Sequence, residues 1–229
     1  MIRAVLLDIE GTTTDIAFVH DVLFPYARKH LADFVGGRRD DPEVETCVEQ
    51  VRATVESEEG RHLDHRDLVK TLESWIDSDR KHPALKQLQG MIWEKGYRDK
   101  AYTAHLYEDV LPVIKEWRTA GLQVAIYSSG SVPAQRLLFE HTLAGDITTL
   151  LTAYFDLDIG NKQDPSSYQA IAQELDVDAP HLLFISDVCE ELDAAAVAGL
   201  QTVQMIRPGT EACGKHRSVA TFRDIGIQQ

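Results

Sequence analysis

Ala4-Val5-Leu6-Leu7-Asp8-Ile9-Glu10-Gly11-Thr12-Thr13 stands near the start of the chain and decides its reading. Four apolar residues ended at once by an acid predict a short strand buried on both faces. Two later runs have the same form. Gln123-Val124-Ala125-Ile126-Tyr127 runs into Ser128-Ser129-Gly130-Ser131, and His181-Leu182-Leu183-Phe184-Ile185 into Ser186-Asp187. A fourth candidate strand, residues 202–206, stops at Pro208-Gly209. Helical patterns lie between them, at 132–140, 165–175 and 190–198, with 109–120 returning the chain to the second strand. Pro165 suits a first helical turn, and Gly121 and Gly199 suit C-terminal stops. Strands alternating with helices predict an α/β fold, a doubly wound parallel sheet of Rossmann-like form. In such a sheet the strands' carboxyl ends open on one crevice, so Asp8, Ser128 and Asp187 are expected to meet there.

The stretch 16–105 breaks this rhythm. It is charged, helical in pattern at 28–35, 42–58, 66–77 and 85–95, and its residues 16–100 hold five of the nine histidines. It reads as a helical cap inserted between core segments 1–15 and 106–229. Trp75 and Trp93, at helical spacings, read as cap core.

The 229 residues carry 23 basic and 37 acidic side chains, a net charge of −14. That balance disfavours both a nucleic-acid backbone and an anionic membrane as partners. No apolar run approaches the roughly 18 residues that span a bilayer. The strand-like start leaves no room for a signal peptide. Cys47, Cys189 and Cys213 are scattered and odd in number, which fits neither a disulfide framework nor a zinc site and points to a reducing compartment. A soluble cytoplasmic protein is the expectation.

Four segments could carry chemistry. Asp8 and Glu10 flank a strand-end turn: one carboxylate could attack phosphorus while the other handles the leaving oxygen's proton. Backbone N–H groups around Gly11 and Thr12 could hold phosphate oxygens. Ser128 and Ser129 offer hydroxyls at a helix start, where serine also simply caps. Lys162, just before the helix at Pro165, could neutralise a phosphate and a carboxylate, although loop lysines are commonly just solvated. Asp187 with Asp8 offers hard oxygen ligands for magnesium, while Glu190 and Glu191 equally suit a helix's first turn.

The order of these segments, each at a strand end, resembles the haloacid dehalogenase superfamily. Glu10 in Asp8-Ile9-Glu10-Gly11-Thr12-Thr13, Tyr127-Ser128-Ser129-Gly130-Ser131, and Leu88-Gln89-Gly90-Met91-Ile92-Trp93 narrow it. They resemble the enolase-phosphatases (acireductone synthases) of methionine salvage, over most of the chain. The resemblance implies a phosphoric monoester hydrolase acting on 2,3-diketo-5-methylthiopentyl 1-phosphate, with enolisation first and phosphate release second. It implies Asp8 as nucleophile, Glu10 and Lys162 as catalytic partners, and Ser128, Ser129 and Lys162 as substrate-binding residues. One Mg²⁺ per subunit would be held by Asp8, Glu10 through its carbonyl, and Asp187, with Glu191 orienting the site. It further implies a monomer and a cap that closes over the small phosphorylated substrate; His20, Tyr97 and Arg98 are cap candidates for contact. Within enzymes, a phosphatase for another small phosphate ester shares the four core segments, but lacks a reason for Glu10 and for 89–97. A phosphate-binding module without turnover is disfavoured by the intact Asp8, Lys162 and Asp187. A dehalogenase needs no such acidic set, and a receiver domain is too short.

Overall fold

The computed structural model describes residues 1–227. In chain order the elements are β1 (Ala4–Leu7), α1 (Ile16–Phe18), a π-type turn (Val19–Leu23), α2 (Phe24–Gly37), α3 (Pro42–Glu59), α4 (His65–Asp77) and α5 (Pro83–Arg98). Then follow α6 (Val110–Thr119), β2 (Gln123–Tyr127), α7 (Val132–Glu140), β3 (Ala153–Phe155), α8 (Pro165–Glu174), β4 (Leu182–Ser186), α9 (Cys189–Val197), β5 (Gln201–Met205) and β6 (Arg217–Val219). Two compact units result. One joins Met1–Phe18 to Thr103–Gln229, and the other is Val19–Tyr102.

The first unit is built on a six-stranded sheet in the order β3-β2-β1-β4-β5-β6, with every pairing parallel. This is the α/β parallel sheet that the strand–helix alternation predicts. β1 sits between β2 and β4, with Leu7 level with Ile126 and Ile185. That register brings Asp8, Ser128 and the Ser186-Asp187 pair to the same edge. All four β1 residues are buried. Ala4 and Leu6 pack with Ala125, Tyr127, Leu182 and Phe184 against Tyr168 and Ile171 of α8 and Leu192 of α9. Alternation sends Val5 and Leu7 to the opposite face, which is buried as well. A strand with both faces covered explains why β1 reads as an unbroken apolar run.

The second unit is helical and has its own core. Leu31 and Phe34 of α2, Val48 and Val51 of α3, Leu68 and Leu72 of α4 and Leu88 and Ile92 of α5 share one cluster with Trp75. Trp93 packs against that cluster and donates from Nε1 to the Leu23 carbonyl at 2.8 Å. Asp41 and Asp64 cap α3 and α4 by accepting from the backbone N–H groups of Glu43 and Asp67.

Two sequence expectations need correction. β3 and β6, three residues each and partly exposed, escape an apolar-run criterion and form the sheet's two edges. Cys189 and Cys213, expected as separate thiols, form a disulfide. They lie 24 residues apart in sequence, but β5 and the loop after it carry Cys213 back to the start of α9. An odd cysteine total does not exclude one pair; Cys47 is the buried third. The cysteine count therefore gives no argument for a reducing compartment. Among the described residues no helix is long and apolar enough to cross a membrane.

Candidate active site

The centre of the site is a buried lysine shared by two acids. Lys162 Nζ lies 2.6 Å from Asp8 Oδ1 and 2.7 Å from Glu191 Oε2. Asp8 follows β1 directly and is 3% exposed; Lys162 is 7% exposed. Charges this deep persist only when paired. Burial alone would lower the lysine pKa, but Asp8 and Glu191 outweigh it and hold the ammonium above its ordinary range.

The loop presenting Lys162 is fixed from below. Tyr127 Oη donates to the Gly160 carbonyl at 2.9 Å, Ser167 Oγ to the Asn161 carbonyl at 2.8 Å and Tyr168 Oη to the Lys162 carbonyl at 2.6 Å. Gly160, at φ +141°, is required here, because a Cβ would stand 2.2 Å from Ser167 Oγ. The ammonium is thus positioned by core residues of β2 and α8 instead of by a mobile loop.

Around this pair stand further carboxylates. Burial first, and Asp8 second, push Asp187 and Glu191 each up to about 7. The same two causes raise Glu10, whose Oε2 accepts from Ser128 Oγ at 3.2 Å. Ser186 Oγ lies 3.0 Å from Glu191 Oε2 and 3.4 Å from Asp8 Oδ2, joining the nucleophile candidate to α9. Glu191 therefore acts on the lysine and on Ser186. Asp187 is met from the first turn by Thr12 Oγ1 at 3.5 Å. It is also met by Gly11, whose lack of a Cβ is what admits its carboxylate.

Asp8, Glu10, Ser128, Lys162, Asp187 and Glu191 are thus linked in one network. Ser129 is exposed beside the buried Ser128. The N–H groups of the first turn differ from expectation. Gly11 N–H donates to the Thr14 carbonyl at 2.8 Å, and those of Thr12, Thr13 and Thr14 converge on the Ile9 carbonyl at 3.2, 3.0 and 2.9 Å. They close the turn on itself and are not available to phosphate. Ser186 and Arg207 escape the sequence reading. Ser186 is the last residue of β4, one place before an acid, and that strand-end position is its only signal. Arg207 gives none: its Nε donates to the Thr12 carbonyl at 3.2 Å, and its guanidinium pairs with Asp109 at 3.0 Å and covers the Tyr107 ring.

The donor set suits a hard divalent cation. Asp8 raises the cost of ionising Asp187, and Lys162 offsets that only in part. Two carboxylates and the main-chain carbonyl of Glu10 are oxygen donors of the kind Mg²⁺ takes.

Comparison with known proteins places the chain in a family. Residues 2–199 match the haloacid dehalogenase-like hydrolase family. The enolase-phosphatase E1 of Erwinia tasmaniensis is 49% identical over 98% of this chain and 97% of its own length. That of Thioalkalivibrio sulfidiphilus is 48% identical over 99% of this chain and 100% of its own. Among solved structures, the UTR4 protein of Saccharomyces cerevisiae superposes with a TM-score of 0.83 at 32% identity, covering 97% of this chain and 99% of that one. CbbY of Rhodobacter sphaeroides, with a TM-score of 0.61 at 17% identity over 99% of this chain and 97% of its own, shares the fold. With a sheet, a buried Asp–Lys centre and full-length relatives in agreement, the chain belongs to the haloacid dehalogenase-like hydrolases, and within them to the enolase-phosphatase E1 family.

Proposed function

We propose that this protein converts 2,3-diketo-5-methylthiopentyl 1-phosphate to the acireductone and phosphate, by enolisation followed by phosphate-monoester hydrolysis. The Asp8–Lys162 contact at 2.6 Å, beside a second buried acid, carries the reading. Asp8 attacks phosphorus and becomes the aspartyl-phosphate. Lys162 keeps the Asp8 carboxylate oriented and offsets charge spreading over the phosphoryl oxygens. Ser128 and Ser129 donate hydroxyl hydrogen bonds to the phosphate. Glu10, whose pKa burial and Asp8 both raise, is the group suited to give a proton to the leaving oxygen. As a carboxylate it then takes a proton from the water that hydrolyses the aspartyl-phosphate. Asp8, Asp187 and the Glu10 carbonyl would hold Mg²⁺, which when bound neutralises the repulsion between phosphate and nucleophile. Glu10 is one methylene longer than aspartate, and that reach suits it to the enolisation step as well.

The test is phosphate release from the diketo phosphate with and without Mg²⁺, while absorbance follows the enol and acireductone. Metal-dependent release with an enol species, lost in Asp8→Asn, is the expected result. Release from a sugar phosphate but none from the diketo phosphate overturns the substrate assignment.

A further inference from the structure

Beside the acidic site lies a cluster of a different chemical character. Cys189 opens α9, Cys213 sits in the loop between β5 and β6, and His216 follows just before β6. One ligand atom from each lies within 4.8 Å of the others. The His216 side chain is only 7% exposed, and both its ring nitrogens are partnered: Nδ1 with Thr202 Oγ1 at 2.8 Å, and Nε2 with Asp193 Oδ1 at 3.0 Å. The loop is anchored independently of the sulfurs. Cys213 N–H donates to Gln204 Oε1 at 3.0 Å, and Gln204 Nε2 donates to the Asp187 and Glu211 carbonyls at 3.1 Å. Opening the S–S bond therefore leaves Cys213 facing Cys189.

We propose that reduction turns this disulfide into a binding site for one thiophilic divalent cation of the zinc type, held by Cys189, Cys213 and His216. The conversion balances with a small thiol as reductant. Two thiols give up two electrons and become a disulfide, the Cys189–Cys213 bond breaks, and both cysteines leave as thiols. Cation binding then displaces one proton from each. In the oxidised form each sulfur is spent on the other, so the site exists only in the reduced protein. A tetrahedral zinc with bonds of about 2.1–2.3 Å sets its ligand atoms about 3.5–3.8 Å apart, inside the span of this cluster. Whichever imidazole nitrogen binds, the other keeps a hydrogen-bond partner in Asp193 or Thr202, the orienting arrangement that metal-bound histidines use. Thiolate and imidazole select a softer ion than the all-oxygen set of Asp8 and Asp187, so the two sites do not compete for one metal.

Cobalt is the probe. Full-length protein is reduced with a phosphine under argon, saturated with Mg²⁺ and titrated with Co²⁺. The expected result is one equivalent taken up with a thiolate-to-cobalt charge-transfer band and the visible spectrum of a tetrahedral ion. Diamide-oxidised protein and Cys213→Ser lose the band, His216→Asn binds at least about ten-fold more weakly, and Cys47→Ser behaves as wild type. A reduced wild type without the band, or a Cys213→Ser variant that keeps it, overturns the proposal. A second measurement does not depend on variants that fold. Zn²⁺ is expected to shield Cys189 and Cys213 of reduced wild type from alkylation, read by mass spectrometry, and equal labelling with and without Zn²⁺ overturns the proposal too. Neither readout uses turnover, so both stand apart from the proposed activity.

Discussion

Replacing Gly11 with alanine should separate the geometry of Asp187, the proposed metal-binding acid, from the stability of the fold. Gly11 has φ +72°, and a Cβ built there falls 2.3 Å from Asp187 Oδ2 and 2.6 Å from its Cγ. Ordinary contact begins near 3.4 Å, so the carboxylate must retreat by about 1 Å. Its backbone cannot follow freely, because Gln204 Nε2 holds the Asp187 carbonyl. The left-handed backbone itself costs alanine about 1–2 kcal/mol, or roughly 2–8 °C in Tm for a chain of this size. A catalytic group displaced by about 1 Å can lose on the order of 10²-fold in rate. Gly121→Ala is the control. Gly121 has φ +84° with nothing within 4 Å of a built Cβ, so it carries the backbone cost without the collision. The assay is Mg²⁺ binding by calorimetry, phosphate release and Tm for both variants. Both should lose a few degrees, and only Gly11→Ala should lose Mg²⁺ affinity and turnover. A Gly11→Ala protein with unchanged Mg²⁺ affinity and turnover, or a Gly121→Ala protein equally inactive, refutes the reasoning.

Lys162→Met removes the one cation between Asp8 and Glu191; turnover should fall about 10²–10³-fold, and loss of one partner from a buried pair should cost about 3–5 kcal/mol in urea unfolding. Metal-free protein should lose stability as pH rises from about 4 to 7. Asp187 and Glu191 are each raised to about 7, so the folded state binds their protons more tightly than the unfolded chain does throughout that window. Unfolding free energies from urea titrations in a chelator at pH 5 and pH 7.5 should differ by on the order of 2–4 kcal/mol, and Mg²⁺, which favours the ionised forms, should shrink the difference. Glu10→Asp shortens the reach of the proposed acid and base, so the enol signal should slow more than phosphate release from a simple ester; full activity in both steps would remove the role given to its length.

What was legible in the sequence follows from where burial is two-sided. β1 and β2 lie inside the sheet, and their apolar runs mark their ends to the residue. β3 and β6 border the sheet, need less apolar surface and leave no run to read. The site acids and Lys162 were legible because each stands in a short polar segment where an apolar run or a helix begins or ends. Their partners were not. Ser186 matters because the β1–β4 register puts it beside Asp8, and Arg207 because the chain returns after β5 to reach the Thr12 carbonyl. Both relations exist only once the sheet is assembled. The disulfide is the same case, since no spacing rule carries Cys213 back to Cys189.

The charge count of the assembled network then argues for its purpose. Asp8, Glu10, Asp187 and Glu191 face a single buried ammonium, an excess of acid that a folding sequence would ordinarily avoid. Such a cluster is tolerable in two ways: the acids hold protons, or a cation joins them. Raised acids at Glu10, Asp187 and Glu191 are the first way. A divalent ion would be the second, and the proposed phosphate transfer to Asp8 would draw on both, with an acid at Glu10 and a cation beside Asp8 and Asp187. The Tyr127, Ser167 and Tyr168 hydrogen bonds keep the lysine loop from relaxing away from the acids. Local conflict held in place by a rigid core is where a catalytic site is to be expected in an otherwise consistent sequence.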